Sequence, residues 1–150
     1  MISLAGTERR TVRDMDIELA RDFVRRNHRA VLNTYHPDGR AQLTPVLVGV
    51  DDAGHLVIST RETATKTHNA QRDPRVVLCV MNDRFFGEWM LIEGRAEVVQ
   101  LPEAMQPLMD YYRDISGEHP NWDEYRAAME REKRVVLRVT ITRAGPDRRG

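Results

Sequence analysis

The stretch AVLNTYHPDGRAQLTPVLVGVDDAGHLVIST, Ala30 to Thr60, decides the fold. Three runs rich in Val, Leu, Ile and Thr are separated by Pro37-Asp38-Gly39-Arg40 and Asp51-Asp52-Ala53-Gly54. Proline presets one turn dihedral, aspartate bonds its own backbone, and glycine takes positive φ, so both tetrapeptides read as tight turns. Strands joined this closely pair antiparallel. The reading is a strand over Ala30–His36, a second over Gln42–Val50 and a third over His55–Thr60. Pro45 interrupts the second. It removes a ladder donor, which demands a sheet edge or a bulge.

Working outward, Thr11 to Asp14 has the form of a capping box. Ile17, Ala20, Phe23 and Val24 recur at helical spacing, giving a first helix to about Asn27. Thr63–Arg72 reads as a short helix stopped by Asp73-Pro74. Arg75–Met81 is a strand, and Asn82–Gly87 is a turn carrying two phenylalanines. Glu88–Val99 is a long strand in which Gly94 suggests a bulge. Pro102 suits the first turn of a helix running to about Ile115. Trp122–Glu132 is a further helix, Val135–Thr142 a last strand, and 145–150 a polar tail expected to fray, as are residues 1–10. The class is mainly β with α: six antiparallel strands favour a closed or split barrel with peripheral helices. One domain over residues 1–150 is expected.

Net charge is +0, with 31% charged and 41% hydrophobic residues. Nucleic acid and acidic membrane surfaces want a basic footprint, so neither is expected as the main partner. Cys79 is the lone cysteine, which forbids an intrachain disulfide. With no apolar leader and no spanning run, the expectation is cytoplasmic.

Ser59 to Asp73 reads STRETATKTHNAQRD. Hydroxyls and a cation meet the start of a helix, a natural seat for phosphate. Lys66 is one of two lysines, with Lys133, among 23 basic residues. Alternatively, Thr63 and Thr65 only cap the helix and Lys66 is solvated surface. The five histidines show no ligand spacing, so no metal site is expected. No carboxylates form a general acid–base pair, and Glu130 and Arg134 read as an ion pair across a helical turn. Tyr111, Tyr112 and Trp122 read as packing, with the Tyr111–Trp122 segment as a lesser candidate for shaping a substrate mouth.

The ordered set QLTPV, then Ser-Thr, Lys66 and Asn69 on a short helix, RDPRV, and EGRAEV resembles the pyridoxamine-phosphate-oxidase-like split β-barrel superfamily. Within it, the chain looks most like the small actinobacterial oxidoreductases that use the deazaflavin coenzyme F420. The resemblance spans about Ile17 to Thr142. It implies a homodimer with cofactor sites in grooves between subunits. It places Ser59, Thr60, Thr65, Lys66 and Asn69 around the cofactor phosphate and ribityl chain. Gln42, Thr44, Pro45 and Val46 would line the ring, and Trp89 would flank the groove. The implied activity is hydride transfer between F420 and an unsaturated small molecule, with the cofactor carrying the chemistry. The alternatives are an FMN-dependent oxidoreductase of the same fold and a non-catalytic F420- or flavin-binding protein. The chain ends in TRAGPDRRG and lacks the C-terminal Arg- and His-containing motif of pyridoxine-phosphate oxidases, which argues against vitamin B6 oxidation.

Overall fold

A computed structural model describes residues 16–149, with side chains through residue 145. The proposed capping box at Thr11 to Asp14 and residues 1–10 lie outside the described residues. The described chain begins in a helix, α1, over residues 16–26. Four strands follow: β1 (Arg29–Tyr35), β2 (Ala41–Leu47), β3 (Gly49–Val50) and β4 (Leu56–Arg61). Helix α2 (Thr65–Arg72) leads into β5 (Arg75–Met81) and β6 (Glu88–Val99). Helices α3 (Met105–Ser116) and α4 (Trp122–Arg131) precede β7 (Arg134–Arg149). No described helix is long and apolar enough to cross a membrane.

All strands join one antiparallel sheet of order β2-β1-β5-β6-β7-β4-β3. There are seven strands rather than the six read from sequence. The run Gln42–Val50 breaks at Val48, whose N–H donates to the His28 carbonyl at 2.8 Å while His28 Nδ1 meets the Val48 carbonyl at 2.9 Å. Before the break β2 pairs with β1; after it β3 pairs with β4. One continuous run thus joins both ends of the sheet and curls it into a half-barrel. β2 approaches β4 without a shared ladder, leaving a seam. Pro45 lies on β2, an edge strand, where its missing N–H costs nothing. Gly39 and Gly54 turn the two hairpins at φ 87° and 85°.

The last strand continues past Thr142 to Arg149, where it meets Glu88 at the start of β6. Gly94 does mark an irregularity: register shifts fall between Met90 and Ile92 and between Glu93 and Gly94. A Cβ at Gly94 would lie 2.5 Å from Val139 Cγ1 and 2.6 Å from the Thr140 carbonyl oxygen. The close approach of two backbones leaves room only for hydrogen.

The core follows from strand alternation. Ala30, Leu32, Val76, Leu78, Val80, Ile92, Leu137 and Val139 point into the half-barrel, and Ala20, Phe23 and Val24 of α1 plug it. Full burial of each large side chain contributes about 1.5–3 kcal/mol. A second cluster lies on the outer face of β4 and β7, where Val57 and Val136 pack under Leu108, Met109, Tyr125 and Met129 of α3 and α4. That double coverage explains why 56–58 and 135–137 are unbroken apolar runs. The outer face of β2, β1, β5 and β6 has no such cover among the described residues.

Candidate functional site

A cleft of about 390 Å³ opens at the seam between β2 and β4. Pro45, Val46 and Leu47 line one wall, and Ser59, Thr60 and Arg61 the other. Ala64 and Lys66 at the start of α2, Tyr111 of α3 and Arg134 of β7 complete it. Five of the ten residues that the resemblance places at the cofactor therefore meet here: Pro45, Val46, Ser59, Thr60 and Lys66.

The N-terminus of α2 is uncapped. Its N-cap is Ala64, with no side-chain hydrogen bond, so neither Thr63 nor Thr65 serves as the cap. The first N–H groups of a helix have no intrahelical acceptor and carry the positive end of its dipole. Thr67 is fully buried and donates from Oγ1 to the Arg61 carbonyl at 2.7 Å, fixing the loop between β4 and α2.

Three cations surround this helix start. The antiparallel register sets Arg61 directly opposite Arg134. Both donate to Glu132 Oε1 at 3.2 Å, so one carboxylate serves two guanidinium groups. Arg134 Nε is buried without a partner. Lys66 is half-buried, and burial, with Arg134 nearby, holds its ammonium below the usual lysine range. A partly desolvated cation beside two guanidinium groups that share a single carboxylate favours an anion. The donor set fits a phosphate: a compact ammonium, two guanidinium groups, the Ser59 and Thr60 hydroxyls and free helix N–H groups.

Arg134 and Arg61 were missed in the sequence. Glu130 and Arg134 were read there as a pair across a helical turn. α4 instead ends at Arg131, Lys133 takes φ 51°, and Arg134 opens β7 with Glu132 as its partner. Only the long-range β4–β7 pairing joins Arg61 to Arg134, so no local signal exposes it. Tyr111 spans the seam, donating from its hydroxyl to the Leu47 carbonyl at 2.9 Å. Burial raises its pKa, which keeps it a neutral donor. It also lines a second, acidic cavity of about 280 Å³ with Asp51, Asp52, Asp110 and Asp114.

The other sequence candidates lie elsewhere. Asn69 is buried; its Nδ2 donates to Thr34 Oγ1 at 3.2 Å and its Oδ1 accepts from Arg72. Thr65 is exposed on α2. Gln42 Oε1 accepts from His36 Nε2 at 2.8 Å. Thr44 Oγ1 is buried without a partner. Trp89 is half-buried, opposite Met81 of β5. None of these five lines the cleft.

Residues 17–146 match the family model for pyridoxamine 5'-phosphate oxidase. The chain belongs to the pyridoxamine 5'-phosphate oxidase family. Solved structures agree on the fold of this family. A conserved hypothetical protein from Mycobacterium tuberculosis is 28% identical, with a TM-score of 0.70 over 85% of this chain and 81% of that one. An F420 reductase is 21% identical, with a TM-score of 0.64 over 83% of this chain and 94% of that one. A heme storage protein from Vibrio cholerae is 13% identical, with a TM-score of 0.67 over 89% and 95% of the two chains. One fold thus occurs in proteins named for different functions, so the fold does not decide between them.

Proposed function

We propose that the cleft seats the phosphate of coenzyme F420 and that the protein is an F420-dependent oxidoreductase acting on an unsaturated or conjugated small molecule. The observation that carries this reading is the convergence of Lys66, Arg61 and Arg134 on the uncapped N-terminus of α2. Lys66 and the helix N–H groups would hold the phosphate, with the Ser59 and Thr60 hydroxyls beside it. Arg61 and Arg134 leave charge for further anionic groups, which F420 has in its glutamate tail and FMN lacks. Pro45, Val46 and Leu47 would offer the apolar wall for a flat ring.

When bound, a deazaflavin supplies hydride chemistry with little reactivity toward oxygen. The chain's part is to position and exclude water. Tyr111, neutral and tied to the Leu47 carbonyl, would hold the seam at a fixed width. The proton needed by a reduced acceptor would come from solvent, since no carboxylic acid or histidine among the described residues lines the cleft.

The reading includes a homodimer with its sites near the subunit interface and a cytoplasmic location. FMN in the same seat is the second reading, because a phosphate and an apolar wall suit it too. A heme is disfavoured: no histidine, cysteine or methionine lines the cleft among the described residues.

Titration of the purified protein with FMN and with F420 separates the readings. Retained FMN, or tighter binding of FMN, would sink the F420 assignment. Tight F420 binding without oxidation of the reduced cofactor by any quinone or enone would leave a binding protein. Lys66→Ala is expected to weaken binding by about 1–3 kcal/mol, roughly 5- to 150-fold, with the fold intact. Arg126, exposed on α4, is the control: its alanine variant should bind as the wild type does.

A further inference from the structure

Of the three cations lining the cleft, Lys66 alone can give up its proton; Arg61 and Arg134 remain guanidinium ions. The chain has 23 basic residues and only two lysines, Lys66 and Lys133. A site that only held an anion would be served at least as well by a third guanidinium, with its fork of donors. What a lysine adds is a primary amine. Its surroundings favour the neutral form. No hydrogen bond or ion pair holds Lys66 among the described residues, and no carboxylate among them lines the cleft. Glu132 is taken up by the two guanidinium groups, at 3.2 Å from each. Burial, with Arg134 adding to it, holds the Lys66 ammonium below the usual lysine range. Pro45, Val46 and Leu47 set an apolar wall in the same cleft, whose volume of about 390 Å³ suits a small aromatic molecule.

We propose that the cofactor-free cleft captures small anionic aldehydes as an imine on Lys66. The lone pair of the neutral amine attacks the carbonyl carbon and forms the N–C bond. Nitrogen then loses a proton and the carbonyl oxygen gains one, which gives a carbinolamine. Protonation of that hydroxyl from solvent lets the C–O bond break. Water leaves, and the nitrogen lone pair closes the C=N bond. From ammonium and aldehyde the products are one protonated imine and one water, so no oxidant or reductant takes part. The two guanidinium groups choose the aldehyde. A carboxylate or phosphate on it pairs with Arg61 or Arg134 and holds the carbonyl near the amine. The apolar wall on β2 takes the rest of the molecule. An imine at Lys66 fills the space assigned above to the cofactor phosphate, so aldehyde and cofactor would exclude one another. That consequence alone rests on the F420 reading; the capture itself does not.

The probe is 4-formylbenzoate, added to the cofactor-free full chain with cyanoborohydride, which reduces the imine to a stable secondary amine. Peptide mapping then counts carboxybenzyl groups on each lysine. Lys133, exposed beyond α4 and outside the cleft, is the control within the same molecule. Lys66 is expected to be labelled at least about tenfold faster than Lys133. Equal labelling of the two, or none at Lys66 in folded protein, would overturn the proposal. The ratio should fall with benzaldehyde, which lacks the carboxylate; an unchanged ratio would overturn the anionic class. It should fall also in Arg61→Gln, a change at a largely exposed side chain that leaves the fold intact. Protection by cofactor separates this proposal from the reading above. Labelling of Lys66 that bound F420 or FMN does not suppress refutes the phosphate seat and leaves the imine standing. No label at Lys66, with cofactor affinity lost in Lys66→Ala, refutes the imine and leaves the seat standing.

Discussion

Asn69 offers a sharp test, because two roles for it predict different losses. Its Nδ2 donates to Thr34 Oγ1 at 3.2 Å, and its Oδ1 accepts from Arg72 Nη1 at 3.3 Å and Nη2 at 3.2 Å. Asn69 is 2% and Thr34 0% exposed. Asn69→Ala removes these bonds and leaves the Thr34 hydroxyl buried and unpaired. An orphaned buried polar group costs about 1–3 kcal/mol, and the missing amide adds a small void. The Arg72 bonds add little because that side chain is largely solvated. The expected loss is about 3 kcal/mol, a fall in Tm of about 6–12 °C for a chain of this size. Urea unfolding should show a lower midpoint at unchanged slope. Thr34→Val with Asn69→Ala should cost less than the sum of the two, with a coupling of about 1 kcal/mol. A stability change under about 0.5 kcal/mol with a large loss of ligand affinity would refute this reasoning and return Asn69 to the ligand.

Three further outcomes follow from the geometry. Gly94→Ala forces a methyl against Val139 and the Thr140 carbonyl, and should destabilise by about 1–3 kcal/mol in urea titration. Tyr111→Phe removes the tether to the Leu47 carbonyl; stability should fall by about 0.5–1.5 kcal/mol, and the KM for bulky acceptors should shift more than that for small ones. Burial pushes the Tyr125 hydroxyl, which donates to the Leu108 carbonyl at 2.8 Å, up to about 12 from its ordinary 10.0. Its contribution to stability is therefore complete below the unfolded value and fades as pH rises toward about 12. Urea midpoints of the wild type should fall over that window more steeply than those of Tyr125→Phe, and parallel curves would sink the assignment.

Much of the fold was legible because its signals are local. Proline, aspartate and glycine at two tight turns declare antiparallel hairpins, whereas 76–81 is apolar throughout, so which of its residues face the core appears only in the alternating burial of the folded strand. The division at Val48 was not legible. Nothing in Leu47-Val48-Gly49 distinguishes a continuous strand from one that leaves one ladder and joins another. That choice depends on His28 and on strands elsewhere in the chain. The length of β7 was obscured for a similar reason: Arg143 to Arg149 is polar, and only pairing with the start of β6 keeps it extended.

The candidate site divides along the same line. The residues from Ser59 to Lys66 bring hydroxyls and a cation to a helix start, the donor types proposed above to seat an anion, all within eight residues of chain. By itself the sequence determined the hairpins and drew attention to Ser59, Thr60 and Lys66, which line one side of the cleft. Tertiary structure alone decided that β2 forms the facing wall, that Arg61 and Arg134 share Glu132, and that Asn69 turns inward to Thr34. The physical reason is range. Turn and cap preferences act over a few residues, whereas a cleft at a sheet seam is assembled by ladder register between strands some seventy residues apart, which periodicity does not encode.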